Sequence, residues 1–173
     1  MFGGAFLRTG CRLEHHFGLI SKAPRIASAR WMKELSAKRK RTLALQERAI
    51  RFSVDVNACC PEYFSNLPSK TVWGQLVRAA DSTSNNLVEA DDAVSDADFL
   101  HKMAIALREV KESRVALVKL RLGTLDNYEA TSSRELESEA TQLTAIFSTI
   151  IRNMRARLEN ETNRQEGTKK PRN

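Results

Sequence analysis

The chain has 173 residues, which is enough for one domain with a hydrophobic core and too few for two. Aromatic residues make up only 6% of it, and the many Ala, Leu, Arg and Glu residues are typical of helices rather than sheets. No apolar run approaches the roughly 20 residues that a membrane span needs. The composition therefore predicts a soluble, cytoplasmic, all-α protein without a membrane segment.

Three cysteines, Cys11, Cys59 and Cys60, are too few for a disulfide framework. Neither of the adjacent Cys59 and Cys60 has a partner at Cys-x-x-Cys spacing, so no zinc site is predicted. We expect these cysteines to be reduced thiols that are buried or half-buried.

The formal net charge of +7 is concentrated at the N-terminal end. Residues 1–42 hold ten Lys or Arg and two Glu, whereas residues 43–173 hold 18 basic and 19 acidic groups. A second basic cluster near the C-terminus consists of Arg152, Arg155, Arg157, Arg164, Lys169, Lys170 and Arg172. Charged ends of this kind are usually solvated and disordered. We therefore predict a basic, disordered extension over 1–41, a folded domain over 42–162 and a disordered tail over 163–173.

Two parts of the N-terminal extension allow more than one interpretation. Residues 1–31 contain many basic and few acidic groups, as a transit peptide does, but Met32 is also a natural translation start. A genuine flexible extension is the third alternative. The basic run that follows could contact phosphates or form the solvated start of a helix, and its members are Lys38, Arg39, Lys40 and Arg41.

The spacing of apolar residues predicts two helices in the first half of the domain. The first runs from about Leu43 to Cys60, where Pro61 ends it. Its apolar stripe consists of Leu45, Ala49, Phe52, Val56 and Cys59. The second helix runs from about Ser69 to Asp91, with Pro68 beside its first turn. Its core side is predicted to consist of Val72, Leu76, Ala79, Thr83, Leu87 and Ala90.

Two further helices follow. Ser95 is a predicted N-cap of the third helix, and Gly123 is its predicted C-cap. The apolar seam of this helix consists of Phe99, Met103, Ala106, Val110, Ser113, Leu117 and Leu120. A capping box from Ser132 to Glu135 starts the fourth helix, which is expected to fray after about Glu161. Its stripe consists of Leu136, Ala140, Leu143, Phe147, Ile150, Met154 and Leu158, widened by Ile146 and Ile151. Short connections between such helices predict an up-down-up-down four-helix bundle.

A polar pattern accompanies the apolar stripes of the second and third helices. Ser82 and Asn86 are too short to reach water past longer neighbours, so they are expected to be partly buried. Asp98 with Lys102, and Arg108 with Glu112, have the spacing of helical ion pairs. Glu109 and Glu112 flank a strip formed by Ile105 and Ala116, as expected of an intersubunit surface. The predicted polar network comprises Arg78, Ser82, Asn86, Glu89, Asp98, Lys102, Arg108, Glu109 and Glu112.

These residues resemble a bacterial four-helix bundle family first noticed as reading frames within intervening sequences of 23S ribosomal RNA genes. The resemblance covers about residues 42–158 and rests on spaced matches. The matching positions are Glu47, Arg48, Phe52, Gln75, Leu76, Arg78, Ser82, Asn86, Glu89, Ala90, Ser95, Asp98, Phe99, Lys102, Arg108, Glu109, Glu112 and Ser113. One departure is Val115-Ala116, where relatives often carry an aromatic residue followed by Trp.

The resemblance implies an oligomeric bundle, pentameric in members of known structure, without an established enzymatic activity. Related bundles are accessory proteins to the reverse transcriptases of diversity-generating retroelements. The nearly neutral domain of this chain argues against a nucleic-acid role for the bundle itself.

Two enzymatic hypotheses compete with this interpretation. Paired carboxylates at Glu89-x-x-Asp92 and Glu109-x-x-Glu112 are typical of magnesium-dependent helical nucleotide hydrolases. Their order is reversed relative to that family, and Asp92 is expected to lie beyond the end of its helix. A di-iron site would need two Glu-x-x-His motifs and two more glutamates, and Asp98-x-x-His101 is the nearest match.

The sequence therefore predicts a non-enzymatic, self-associating bundle that acts as a scaffold or adaptor. No cofactor and no metal are expected. The expected partners are further copies of the chain, and a nucleic acid or a nucleic-acid-processing protein. Direct binding of RNA or DNA through the basic ends is the main alternative function.

Overall fold

The computed structural model describes residues 36–123 and 130–169, with the side chains of residues 130–133 and 166–169 excepted. The described chain forms four helices: α1 (Ala37–Cys59), α2 (Leu67–Asp91), α3 (Asp96–Leu122) and α4 (Ala130–Lys169). Each helix packs against its neighbours in the order α1–α2, α2–α3, α3–α4 and α4–α1. The predicted all-α four-helix bundle is therefore confirmed, with α1 and α3 on opposite corners.

Polar caps set the starts of three helices. The predicted cap Ser95 accepts a hydrogen bond from the amide of Asp98 (3.1 Å). Asn66 caps α2 through the amide of Ser69 (2.9 Å), so this helix begins at Leu67, two residues before the predicted start, with Pro68 in its first turn. Gly123 follows α3 as its C-cap, as predicted.

The outer ends of α1 and α4 differ from the prediction. Ser36 accepts a hydrogen bond from the amide of Arg39, so α1 begins at Ala37 rather than at Leu43 and includes the basic run. This first part of α1 is polar and lacks an apolar stripe, but it is helical because the cap and the rest of the helix stabilise it. α4 begins at Ala130 and continues to Lys169, so it includes residues that sequence alone assigned to the tail. Residues 1–35, with Cys11, and the terminal Lys170 and Arg172 lie outside the described chain.

The core consists mainly of the predicted apolar stripes. The buried members of these stripes are Ala49, Phe52, Val56, Cys59, Leu76, Ala79, Thr83, Leu87, Ala90, Met103, Ala106, Val110, Ser113, Leu117, Leu120, Leu136, Ala140, Leu143, Phe147 and Ile151. Along α4 the last predicted stripe residues, Ile150, Met154 and Leu158, are half-buried, because the helix runs past the rest of the bundle. Trp73 is 1% exposed and belongs to the core, although the sequence pattern did not assign it there.

Cys59 is buried and Cys60 is half-buried, as expected, and neither forms a disulfide. Within residues 36–123 and 130–169, no helix is both long and apolar enough to cross a membrane.

Candidate interaction surfaces

The polar pattern of α2 lies along an open groove on its outer surface. Asn86 donates through Nδ2 to the carbonyl oxygen of Ser82 (2.9 Å) and to its hydroxyl (3.2 Å). Both side chains are half-buried, whereas Arg78 is exposed. The groove is lined by Gly74, Val77, Arg78, Asp81, Ser82, Asn85, Asn86 and Glu89. Within the described chain, the guanidinium of Arg78 takes part in no ion pair, so it is available to a partner.

Lys102 of α3 closes one edge of this surface. Its Nζ lies 2.6 Å from Oε2 of Glu89 on α2, and this hydrogen bond raises the pKa of Lys102. The predicted partner Asp98 forms no ion pair with Lys102, although its charge also raises the pKa of Lys102. Its Oδ2 accepts from the amide of Val94 (3.3 Å), because the cap geometry at Ser95 holds the carboxylate over the start of α3. Lys102 therefore joins two helices instead of two turns of one helix.

The remaining members of the predicted network lie on α3. Arg108 Nη2 is 3.1 Å from Oε1 of Glu109, and its Nε is 3.8 Å from Oε1 of Glu112. The side chains of Arg108 and Glu112 are 66% and 59% exposed, whereas that of Glu109 is 14% exposed. The strip between these glutamates was predicted to be an intersubunit surface, but Ala116 is 5% exposed and belongs to the core. That prediction is wrong for Ala116, because α2 and α4 cover a wider arc of α3 than one apolar stripe.

Several cross-helix contacts have no counterpart in the sequence interpretation. Ser53 and Asn57 of α1 both donate to Oδ1 of Asp81 on α2. The side-chain amide Nδ2 of Asn57 lies 3.3 Å from this oxygen. Arg121 of α3 forms a two-point contact with Glu137 of α4, with its Nε 2.6 Å from Oε1. Spacing within one helix predicts i,i+4 pairs but says nothing about pairs between helices. Such pairs depend on the register of the helices, which only the packed bundle reveals.

The basic residues of α1 and α4 lie at the same end of the bundle. Arg39 pairs with Asp91 at the end of α2, and Arg157 Nη2 lies 2.9 Å from Oδ2 of Asp96 at the start of α3. Because only residues 92–95 separate α2 from α3, these two contacts place the start of α1 and the second half of α4 around one turn. The fold thus brings together two basic clusters that are more than 100 residues apart in sequence. Their described members that are exposed and take part in no ion pair include Lys38, Arg41, Arg152, Arg155 and Arg164.

The carboxylates do not converge on a metal site. Among the described residues, no group of three or more His, Cys, Asp or Glu side chains is placed to hold a metal ion. Glu89 is occupied by Lys102, and Asp92 lies beyond α2 as its C-cap, as predicted. His101 is exposed. Burial raises the pKa of the Cys60 thiol, which disfavours its nucleophilic thiolate.

The carboxyl group of Asp55 has an environment that disfavours its charged form. Asp55 of α1 is half-buried, and burial raises the pKa of its carboxyl group. Glu139 of α4 raises this pKa further through charge repulsion, whereas Arg51 lowers it. The arrangement is a packing feature of the α1–α4 seam rather than a pocket.

Comparison with known proteins gives a family match. The sequence model of the family described as 23S rRNA-intervening sequence protein matches residues 41–149, from the second turn of α1 to the middle of α4. A crystal structure of a protein of unknown function from the S23 ribosomal protein family of Bacteroides thetaiotaomicron is similar, with a TM-score of 0.51 and 24% identity. The similarity covers 62% of this chain and 97% of that one, and at this identity it shows the fold alone. No curated protein matches the chain significantly.

Proposed function

The chain belongs to the 23S rRNA-intervening sequence protein family, and we propose that it is a non-enzymatic, self-associating bundle that acts as a scaffold or adaptor. The observation that carries the proposal is the position of the polar pattern. Arg78, Glu89, Arg108 and Glu112 lie on open helix surfaces, where they can meet another protein. None of them faces an enclosed cavity with the convergent groups that a small substrate would need.

The subunit number that the resemblance implies is five. A pentamer of this 19.5 kDa chain would have a mass of about 98 kDa, five times that of one chain. Multi-angle light scattering and native mass spectrometry at several protein concentrations measure this directly. A wild-type protein that stays at the mass of one chain throughout would contradict self-association.

Two substitutions test whether the polar pattern belongs to the assembly surface. We expect Arg78→Ala and Glu112→Ala to lower the assembled fraction while the helix content by circular dichroism stays unchanged. Lys70→Ala is the matched control, because Lys70 is an exposed cation on α2 outside the groove. If both variants keep the wild-type mass, these residues do not hold the assembly together. Magnesium-dependent nucleotide hydrolysis that is lost in Glu112→Gln would instead support the enzymatic alternative.

Nucleic-acid binding is a second candidate function, and the shared location of the two basic clusters favours it. Exposed cations from α1 and α4 around one end of the bundle could neutralise neighbouring phosphates of one strand or duplex. Two acidic groups of the same end, Asp91 and Asp96, are already paired with Arg39 and Arg157. Pairing reduces their repulsion of a phosphate backbone.

The test of this second function is the salt dependence of binding to a generic duplex. Each phosphate contact that is lost makes the negative slope of log affinity against log salt shallower by about 0.9. We expect Arg41→Gln combined with Arg164→Gln to reduce the slope by about two such contacts. Lys70→Gln combined with Arg134→Gln removes the same charge from the other end and should leave the slope unchanged. Equal slopes for both double variants would show that the basic end is not a specific binding surface.

A further inference from the structure

An apolar patch interrupts the outer surface of α1 and α2. Ile50 and Val54 are four residues apart on α1, and each is 46% exposed. The contacts of Gln46 with Asp91 (3.2 Å) and of Ser53 with Asp81 fix the register of the two helices. In this register Ile50 lies opposite the α2 segment that carries Val88, which is 38% exposed. We call Ile50, Val54 and Val88 the α1 face.

Exposed apolar side chains also lie along one side of α3. Val115 and Leu122 are two turns apart on the same side of this helix, and they are 50% and 71% exposed. Ala104 is exposed on the same side, three turns before Val115. We call Ala104, Val115 and Leu122 the α3 face. Among the described residues, the helix bodies therefore carry two apolar faces, and α4 has no large exposed apolar side chain.

The two faces point away from each other. α1 and α3 each pack against both α2 and α4, which places them on opposite corners of the bundle. One molecule therefore cannot cover its α1 face with its own α3 face. Two molecules can make this contact.

The charges around the two faces are complementary. Two carboxylates and one cation adjoin the α1 face: Glu47 and Arg51 lie one turn before Ile50 and Val54 on α1, and Asp81 of α2 accepts from Ser53. Three cations and one carboxylate surround the α3 face: Arg108, Lys111, Lys119 and Glu112. Contact between two α1 faces, or between two α3 faces, would bring like charges together, whereas contact between unlike faces pairs opposite charges.

We infer that a second copy of this chain docks its α3 face onto the α1 face of the first, in a head-to-tail contact. This inference rests on the proposed self-association and adds two apolar faces to the polar surface named there. Because each contact uses two different faces, every pair of bound copies leaves one free face of each kind. Addition of copies then continues until the ring closes. A two-fold dimer would instead use one face twice and stop there.

Two single substitutions test the inference. Val54→Asp places a carboxylate in the α1 face, and Val115→Asp places one in the α3 face. Each should weaken self-association by about tenfold or more, because every contact in a uniform sample then contains a changed face. Val94→Asp is the matched control, since Val94 is 93% exposed in the turn between α2 and α3, outside both faces. It should keep the wild-type mass, and circular dichroism should show unchanged helix content in all three variants.

An equimolar mixture of Val54→Asp and Val115→Asp tests whether the contact between copies is head-to-tail. The unchanged α3 face of the first variant fits the unchanged α1 face of the second, so we expect dimers with one chain of each kind and nothing larger. Native mass spectrometry identifies such dimers if one chain is isotope-labelled. A mixture that stays monomeric, or either single variant that keeps the wild-type mass, would overturn the head-to-tail contact. A wild-type protein that is itself monomeric would overturn the proposed self-association as well, which separates the two failures.

Discussion

Arg48 of α1 forms a two-point contact with Glu139 of α4, with Nε 2.5 Å from Oε1 and Nη2 2.8 Å from Oε2. The same Nη2 group donates to Oε1 of Gln142 at 2.7 Å. The side chains of Arg48 and Glu139 are 35% and 27% exposed, so solvent screens this pair less than a pair on the open surface. The hydrogen bond to Glu139 raises the pKa of Arg48. The contact thus joins the first and last helices of the bundle.

Arg48→Met should lower the free energy of unfolding by about 1 kcal/mol, because it leaves a half-buried carboxylate without its bidentate donor. Arg51→Met is the matched control. Arg51 pairs with Glu47 within α1, but both side chains are more than 60% exposed, so the loss should be only a few tenths of a kcal/mol. Urea unfolding at a fixed protein concentration measures both. Equal effects of the two variants would mean that the α1–α4 pair contributes no more than a surface pair.

Trp73→Ala should destabilise the bundle by about 3–5 kcal/mol, because the indole is 1% exposed and its removal leaves a large cavity. Tyr63→Ala removes an aromatic ring that is 82% exposed and should cost about 0.5 kcal/mol or less. Comparison of the two urea midpoints shows whether the loss of stability comes from the burial of the ring or from the loss of an aromatic residue as such. A small loss for Trp73→Ala would indicate that the core can collapse around the missing ring.

The contrast between Leu76 and Trp73 shows what the sequence could predict. Leu76 repeats the 3–4 spacing of the stripe and is fully buried, so periodicity alone found it. Trp73 lies to one side of that stripe and is buried because α2 is covered over a wide arc. Sequence periodicity indicates the direction of the core but not how far neighbouring helices extend around it. The same reason explains why Ala116 was assigned to the surface although it is buried.

Among the polar side chains, too, some contacts were predictable from the sequence and others were not. Ser95 was found as a cap because its role depends on residues within three positions. Asp81 accepts from α1, and Lys102 donates to α2, and neither contact follows from spacing within one helix. The grouping of Arg39 and Arg157 around one turn depends on the length and direction of all four helices. Local chemistry was therefore predictable, whereas contacts between helices required the fold.

Gly74→Ala should raise the free energy of unfolding by about 0.5–1 kcal/mol, because glycine costs about that much in a helix interior. A Cβ atom at this position would have no neighbour within 4 Å, so the change adds no clash within the bundle. Urea unfolding of Gly74→Ala and wild type at the same concentration gives the difference. A loss of stability would show that another molecule packs closely against the outer surface of α2 in solution.

Asp55→Asn should stabilise the protein at neutral pH, with the gain lost as the pH falls. Burial and Glu139 raise the pKa of Asp55 in the folded state above its ordinary value of 3.8. As the pH rises past that value, the unfolded chain releases this proton first, so ionisation of the carboxyl group disfavours the folded state. Asparagine avoids this cost, and the gain should be a few tenths of a kcal/mol at pH 7, because solvent screens a half-exposed group.

The measurement for Asp55→Asn is urea unfolding of variant and wild type between pH 3 and pH 8. The two stabilities should converge at the acidic end, where Asp55 is protonated in both states. Glu139→Gln should reduce the pH dependence of the wild-type chain in the same range, because it removes the carboxylate that repels Asp55. Arg51 acts in the opposite direction by favouring the ionised form of Asp55. If Asp55→Asn is less stable than wild type at pH 7, attraction to Arg51 outweighs burial, and Asp55 stabilises α1 as an ion pair.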